Sequence, residues 1–456
     1  VVALELSGSD LSRAFGVFYN FTSANTNPKL QEIEEEDAPI FSAHYDNIYL
    51  NSDLYNRIKA IDVTKLEGED KKLHEHYMIA FELSGANLPE DDKKKMKEIN
   101  SQLSTLTTQF TNKLLEARKS AALVVDNVEE LDGMSQEDID AAADLAKEQG
   151  QEGKYVLTIT NTTQQYQLVS LKNRSTREKL FKASWTRAEK GDEADTRATL
   201  EKIARLRLQK AQLMGMKNFA EWKLQNQMAK NPQTALDLIS TLAKPAVKKA
   251  REEAAEIQTL IDKQKGGFKL EPWDWNFYSE QVRKEKYDLD NNEVKPYFEV
   301  RTVLEKGVFA AAKKMYGISF KKRDDLPVYH EDVVTYEIFD KDGKSMALYY
   351  LDFYTRDNKN GGAWMNNFVD QSHALDQKPV IVNVFNYNKP AEGKPSLITF
   401  DNVTTMFHEF GHTLHGLFAN QKYKTLSGTA TPRDYVEFPS QINEHCATDP
   451  EILKNY

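Results

Sequence analysis

The stretch "FHEFGHTLHGLF", Phe407 to Phe418, sets two histidines four residues apart with a glutamate directly after the first. At about 100° per residue, Phe407, Phe410, Leu414, Leu417 and Phe418 share one face of a helix, and Asp401 stands ready to cap it. His408 and His412 lie about 40° apart on the opposite side, one turn above the other. Imidazoles stacked in this way can aim their nitrogens at one ion about 2.0–2.1 Å away, the distance zinc takes to nitrogen. Glu409 is turned about 100° from His408. It therefore leans over water at the metal instead of ligating it. That is the division of labour in H-E-x-x-H: two ligands and one general base. Gly411 costs the helix roughly 1 kcal/mol relative to alanine, which room for backbone or substrate near the metal would explain.

A catalytic zinc takes three protein ligands and keeps one position open. Two residues compete for third place, His415 and Glu437. His415 faces the same way as the other histidines, but its backbone lies about 10 Å along the axis from His408, so ligation by all three would strain a straight helix. It reads better as a group beside the ligands or the substrate. Glu437 is better placed. Thr431-Pro432-Arg433-Asp434 has the makings of a helix start, with threonine as cap, which puts Glu437 about a turn and a half into a second helix. Pro439 should bend that helix and aim Glu437 at the histidines. Gln441, on the same face, is a candidate to orient a ligand, or else a solvated amide. Glu444 reads as surface. His74-Glu75-His76 is a decoy, because residues two apart on a helix diverge, and it reads as solvated surface.

Upstream the texture is helical. Met96, Ile99, Leu103, Leu106, Phe110 and Leu114 alternate spacings of three and four, which marks one long amphipathic helix. Ser135 with Asp138 starts another, and Gly150 stops it. "KYVLTIT" (Lys154 to Thr160) reads as a strand. Helical periodicity resumes from about Thr162 to Met228, and a charged helix follows Pro245 up to the glycines of "KQKGG". Near residue 316 the chain turns β-branched and aromatic. Val333–Phe339 and Ser345–Tyr354 flank Asp340-Lys341-Asp342-Gly343 as a hairpin, and "PVIVNVFNYN" (Pro379 to Asn388) is a third strand. The expected fold is therefore mainly α, with a small sheet just before the histidine helix.

Bulk properties narrow the function. A hydrophobic share of 40% over 456 residues supports two or three domains' worth of core. The net charge is −10 with signs interspersed, so no basic stripe invites nucleic acid. No apolar run approaches the roughly 20 residues of a membrane span. Cys446, the single cysteine, excludes an internal disulfide and suits the cytoplasm, with the periplasm as the alternative. Sequons stand at Asn20, Asn161, Asn173 and Asn402, and matter only where glycosylation occurs. "EGKPS" (Glu392 to Ser396) lacks the upstream glycine of a phosphate loop. Both ends read as cut. Val1 is not a methionine, and Asp449-Pro450-Glu451 begins a helix with no room to form before Tyr456.

"TMFHEFGHTLHGLF" and "SGTATPRDYVEFPSQINEH" together resemble the thimet-oligopeptidase-like family of zinc metallopeptidases. "RDNKNGGAWM" (Arg356 to Met365), "NTTQQ" (Asn161 to Gln165), "WTRAEK" (Trp185 to Lys190) and "EPWDWNFYSEQVR" (Glu271 to Arg283) extend the likeness over essentially the whole chain. The resemblance implies His408, His412 and Glu437 as ligands of one zinc ion and Glu409 as general base. It implies a two-lobed helical fold with a deep channel that admits only short peptides. Residues 1–315 would form one lobe and a channel wall, and residues 316–456 the sheet and the zinc-binding helices. In the family, tyrosines and a glycine-rich loop far downstream polarise the scissile carbonyl. The sequence stops before that segment, so the metal centre is expected without the whole oxyanion-stabilising apparatus.

The function so implied is a monomeric zinc peptidase that releases dipeptides from the C-termini of short peptides. Two alternatives stand beside it. One is an endo-acting oligopeptidase with the same chemistry. The other is a helical peptide-binding protein with a vestigial or structural zinc. The hairpin's edge strand is expected to pair with an extended peptide. "NKNGGAW" either brings backbone close to substrate or is a plain loop between strand and helix.

Overall fold

The computed structural model describes residues 1–159, 165–287, 291–391 and 393–456, without the side chains of Asn291 and Asn292. Asn161, most of "NTTQQ", Thr160 and Glu392 of "EGKPS" lie outside the described residues.

The first three hundred residues are dominated by helices: α1 (Ser9–Ala24), α2 (Pro28–Tyr49), α3 (Gly68–Ser84), α4 (Glu90–Ser120), α5 (Gln136–Glu148), α6 (Arg174–Trp185), α7 (Arg197–Leu213) and α8 (Pro232–Lys263). The long amphipathic helix is α4. Its Ile99 and Leu106 are buried with Ile203 and Leu206 of α7, flanked by Leu103 and Phe110. Ser135 caps α5 by accepting the Asp138 N–H, and Gly150, just past the end, takes the left-handed backbone such a stop requires (φ +71°). "KYVLTIT" yields a strand only over Tyr155–Leu157 (β2), antiparallel to Leu123–Val125 (β1).

Three helical expectations need correcting. The periodicity through residue 228 is broken between α6 and α7, where the Asp195 carboxylate accepts the N–H groups of Gly191 and Arg197 and closes a turn. The charged helix begins not after Pro245 but at Pro232, behind Asn231, whose side chain accepts the Thr234 N–H. Asparagine followed by proline is a strong start, and it outweighs the later proline, which sits inside the helix. His74 is not solvated surface. It is 6% exposed, and its Nε2 lies 3.0 Å from the Ile58 carbonyl.

The sheet contains β3 (Ser319–Lys322), β4 (Val334–Phe339), β5 (Ser345–Tyr354), β6 (Trp364–Val369) and β7 (Val380–Tyr387), in the order β3-β4-β5-β7-β6. All pairs are antiparallel except β5 with β7. The hairpin forms as expected, with Gly343 at φ +80° in its loop. Neither of its strands is an edge, however, because β3 covers β4 and β7 covers β5. The edges are β3 and β6. The "NKNGGAW" segment joins β5 to β6, strand to strand, and not strand to helix. At the far end Asp449 caps a short helix, Pro450–Leu453, so the start read there does form one turn. Among the described residues no helix is long and apolar enough to cross a membrane.

Candidate metal centre

The histidine helix α9 (Phe400–Leu417) lies on the sheet. Its cap is Thr399, whose hydroxyl accepts the Asn402 N–H, and not Asp401, which falls inside the first turn. Phe407, Phe410, Leu414 and Leu417 are buried against Leu351, Phe353, Ile381 and Phe385 of the strands. Each such side chain contributes about 1.5–3 kcal/mol of burial. Phe418 follows the last helical residue and is exposed. Polar contacts fix the helix further. Asn383 of β7 donates to the Glu409 carbonyl at 3.1 Å, and its Oδ1 accepts from Thr413 and Tyr349 at 2.9 and 2.5 Å.

The second helix, α10 (Glu437–Glu444), packs across α9. It begins later than the sequence suggested. Arg433 to Val436 form a turn, and Glu437 is the first helical residue. Asp434 is the reason, since its carboxylate bonds the backbone of Met228 and Ala229 instead of serving a helix start. Pro439 consequently sits in the first turn, where no backbone donor is needed and no bend follows. Close approach, not a bend, brings Glu437 to the histidines. A Cβ on Gly411 would lie 2.6 Å from the Ser440 Cα and 2.9 Å from the Asn443 Cβ, so the room at Gly411 serves backbone.

The result is a convergence of three side chains. Nε2 of His408 and Nε2 of His412 each lie 3.1 Å from the same Glu437 oxygen, Oε2. Among the described residues this is the one group of three or more histidine, cysteine or acidic side chains with ligand atoms within 4.8 Å of one another. Both imidazoles are mostly shielded, while Glu437 is half exposed. Burial lowers the pKa of His412. A neutral imidazole is the form that ligates a metal. His415 stands outside the group, with its Nδ1 buried and unpartnered.

Glu409 points into this region from the buried side. It is 5% exposed, and its Oε2 has no hydrogen-bond partner. Burial, with Glu437 as second cause, pushes its carboxyl up to about 8. A divalent cation beside it would favour the charged form again. The convergent His/His/Glu set fits a zinc with one position left for water, and an unpartnered buried carboxylate beside it is suited to accept from that water.

Two residues of α10 carry more than their sequence suggested. Glu444 is not merely surface, since its Oε1 holds His408 Nδ1 at 2.7 Å. A carboxylate accepts, so with an ion held at the centre the proton would sit on Nδ1 and Nε2 would give its lone pair to the metal. Gln441, read either as a ligand-orienting amide or as a solvated one, is exposed, in keeping with the second reading. Asn443 was not singled out at all, yet it donates to the Phe407 carbonyl at 2.6 Å and ties α10 to α9. The seven-residue spacing of Glu437 and Glu444, two helical turns on one face, was the available signal.

The chain as a whole is similar to known proteins. The model of peptidase family M3 covers residues 167–456. The chain is 50% identical over 460 residues to dipeptidyl carboxypeptidase of Escherichia coli (strain K12), covering 100% of this chain and 68% of that relative. Oligopeptidase A of Salmonella typhimurium is 34% identical over 455 residues, covering 97% and 67% respectively. A solved chain described as PZ peptidase A with inhibitor 2 superposes with a TM-score of 0.53 at 14% identity, over 98% of this chain and 64% of that one, a likeness of fold.

Proposed function

The chain belongs to peptidase family M3, and from that membership we propose a zinc-dependent peptidase that releases dipeptides from the C-termini of short peptides. The observation that carries the reading is the meeting of His408, His412 and Glu437 beside the buried Glu409. The donor set suits zinc, which when bound supplies Lewis acidity for the peptide carbonyl and acidifies water. Glu409 then has one task in two steps. It takes the proton of the attacking water and delivers it to the leaving amine. Glu444 keeps His408 in the ligating tautomer, and Asn383 fixes the depth of Glu409 on the sheet. The edge strand against the histidine helix is β6, whose Met365 packs close to Gly416. We place the extended substrate along this strand rather than along the hairpin.

Release of dipeptides is favoured over internal cleavage because identity to the dipeptidyl carboxypeptidase is 50%, against 34% for oligopeptidase A. The test uses a short peptide with a blocked N-terminus. Product masses should show dipeptides leaving from the C-terminal end, and amidating that end should suppress the reaction. Products cut internally and insensitive to amidation would favour the endo-acting alternative. Glu409→Gln should abolish turnover while zinc content stays at one per chain. Substantial hydrolysis by that variant would remove Glu409 from its role.

A further inference from the structure

Glu437 occupies the first position of α10, is 54% exposed at its side chain, and is preceded by Val436, which offers no side-chain cap. From within α10 the Ser440 hydroxyl donates to the Glu437 carbonyl at 2.9 Å and lies 3.1 Å from its Oε2, while on the other side its backbone continues into the turn ahead of it. From that turn Asp434 reaches to the segment leading into α8. Its Oδ1 accepts the N–H of Met228 and its Oδ2 the N–H of Ala229, both at 2.9 Å. The neighbouring Arg433 N–H donates to Gln227 Oε1 at 2.7 Å. Lys230, directly after the paired amides, adopts left-handed backbone with φ 64°. Consecutive amides beside a left-handed residue form a concavity that holds an anion. A lysine accepts that conformation only where its surroundings enforce it. These bonds hold the Asp434 carboxyl below its ordinary range.

We propose that Asp434 is a positioning residue for the metal ligand Glu437, a clamp that joins the base of α8 to the metal centre across more than two hundred residues of sequence. The clamp makes the third ligand's place depend on the helical body and not on α10 alone. The inference rests on the metal reading above.

Zinc affinity tests it, measured on the whole chain by competition with a chromophoric chelator. Asp434→Ala should weaken binding by about tenfold, within the range seen when groups behind the ligands are removed. Asp434→Asn, which keeps one acceptor, should lose less, and it carries the test if the alanine variant does not fold. Glu437→Ala and the double variant Asp434→Ala/Glu437→Ala separate a positioning role from general loosening. If Asp434 acts through Glu437, the double variant binds zinc as weakly as Glu437→Ala and no more. Unchanged affinity in both Asp434 variants, or fully additive losses in the double variant, overturns the clamp. Unchanged affinity in Glu437→Ala removes the metal assignment beneath it.

Discussion

Glu444 acts at the scale of a single proton. By accepting from Nδ1 of His408 at 2.7 Å, it decides which ring nitrogen faces the centre. Glu444→Ala should weaken zinc binding by about 10- to 100-fold, while Glu444→Gln, still able to accept, should lose less. Chelator competition reads both. An equal loss in the two would mean that charge, not orientation, is what Glu444 supplies. At this scale the nearness of His408 and His412 was legible in the sequence, because H-E-x-x-H states it in its spacing, whereas Glu437 was set beside them by a helix start that the structure does not keep. The residues behind them were not read. Glu444 resembles any surface glutamate, and the two-turn spacing that sets it on the face of Glu437 was passed over. Asp434 looked like part of a helix start, whereas its carboxylate is taken by amides distant in sequence.

Between elements, the contact of α9 with α10 depends on the absence of one side chain. Gly411→Ala would put a methyl group 2.6 Å from a backbone carbon of Ser440, which cannot swing aside as a flexible side chain would. The expected cost is about 1–3 kcal/mol, seen as a lower urea midpoint, together with weaker zinc binding as the ligand-bearing helices part. A urea midpoint and zinc affinity both equal to those of the unchanged chain would count against this account. The helices themselves were readable where apolar spacing of three and four persists, as along α4, and the hairpin was readable from its turn. Strands β3 and β6 were not. None of the four residues of β3 and none of the six of β6 is fully buried, so neither leaves an alternating apolar trace. Missing them turned interior strands into supposed edges.

At the level of the whole molecule, Asp352 joins the beginning of the chain to the sheet. It is fully buried and accepts from Arg356 at 2.9 and 2.6 Å, from Lys359 at 2.9 Å and from Tyr329 at 2.8 Å. Arg356 in turn donates to the Ala24 carbonyl, while Asn358 and Asn360 bond the backbone of Thr26 and Ser23. Asp352→Ala would strand two cations in the interior and should destabilise the fold by about 3–5 kcal/mol, measured by urea unfolding. Little change would show that water reaches the cluster. "RDNKNGGAWM" was read in sequence as a mark of likeness, and its "NKNGGAW" as either a close approach of backbone to substrate or a plain loop. Its structural work depends on partners at the other end of the chain, which no local pattern can display.

That join also imposes an order in time. Ala24 and Arg356 are separated by 332 residues. At about 5–20 residues per second of translation, roughly 15–70 s pass between the emergence of the one and of the other. Through that interval α1 waits on the ribosome with no strand to lie against. Until that strand is made, the face of α1 that packs on it stays uncovered, and surface left open in this way during synthesis is what favours aggregation in large chains.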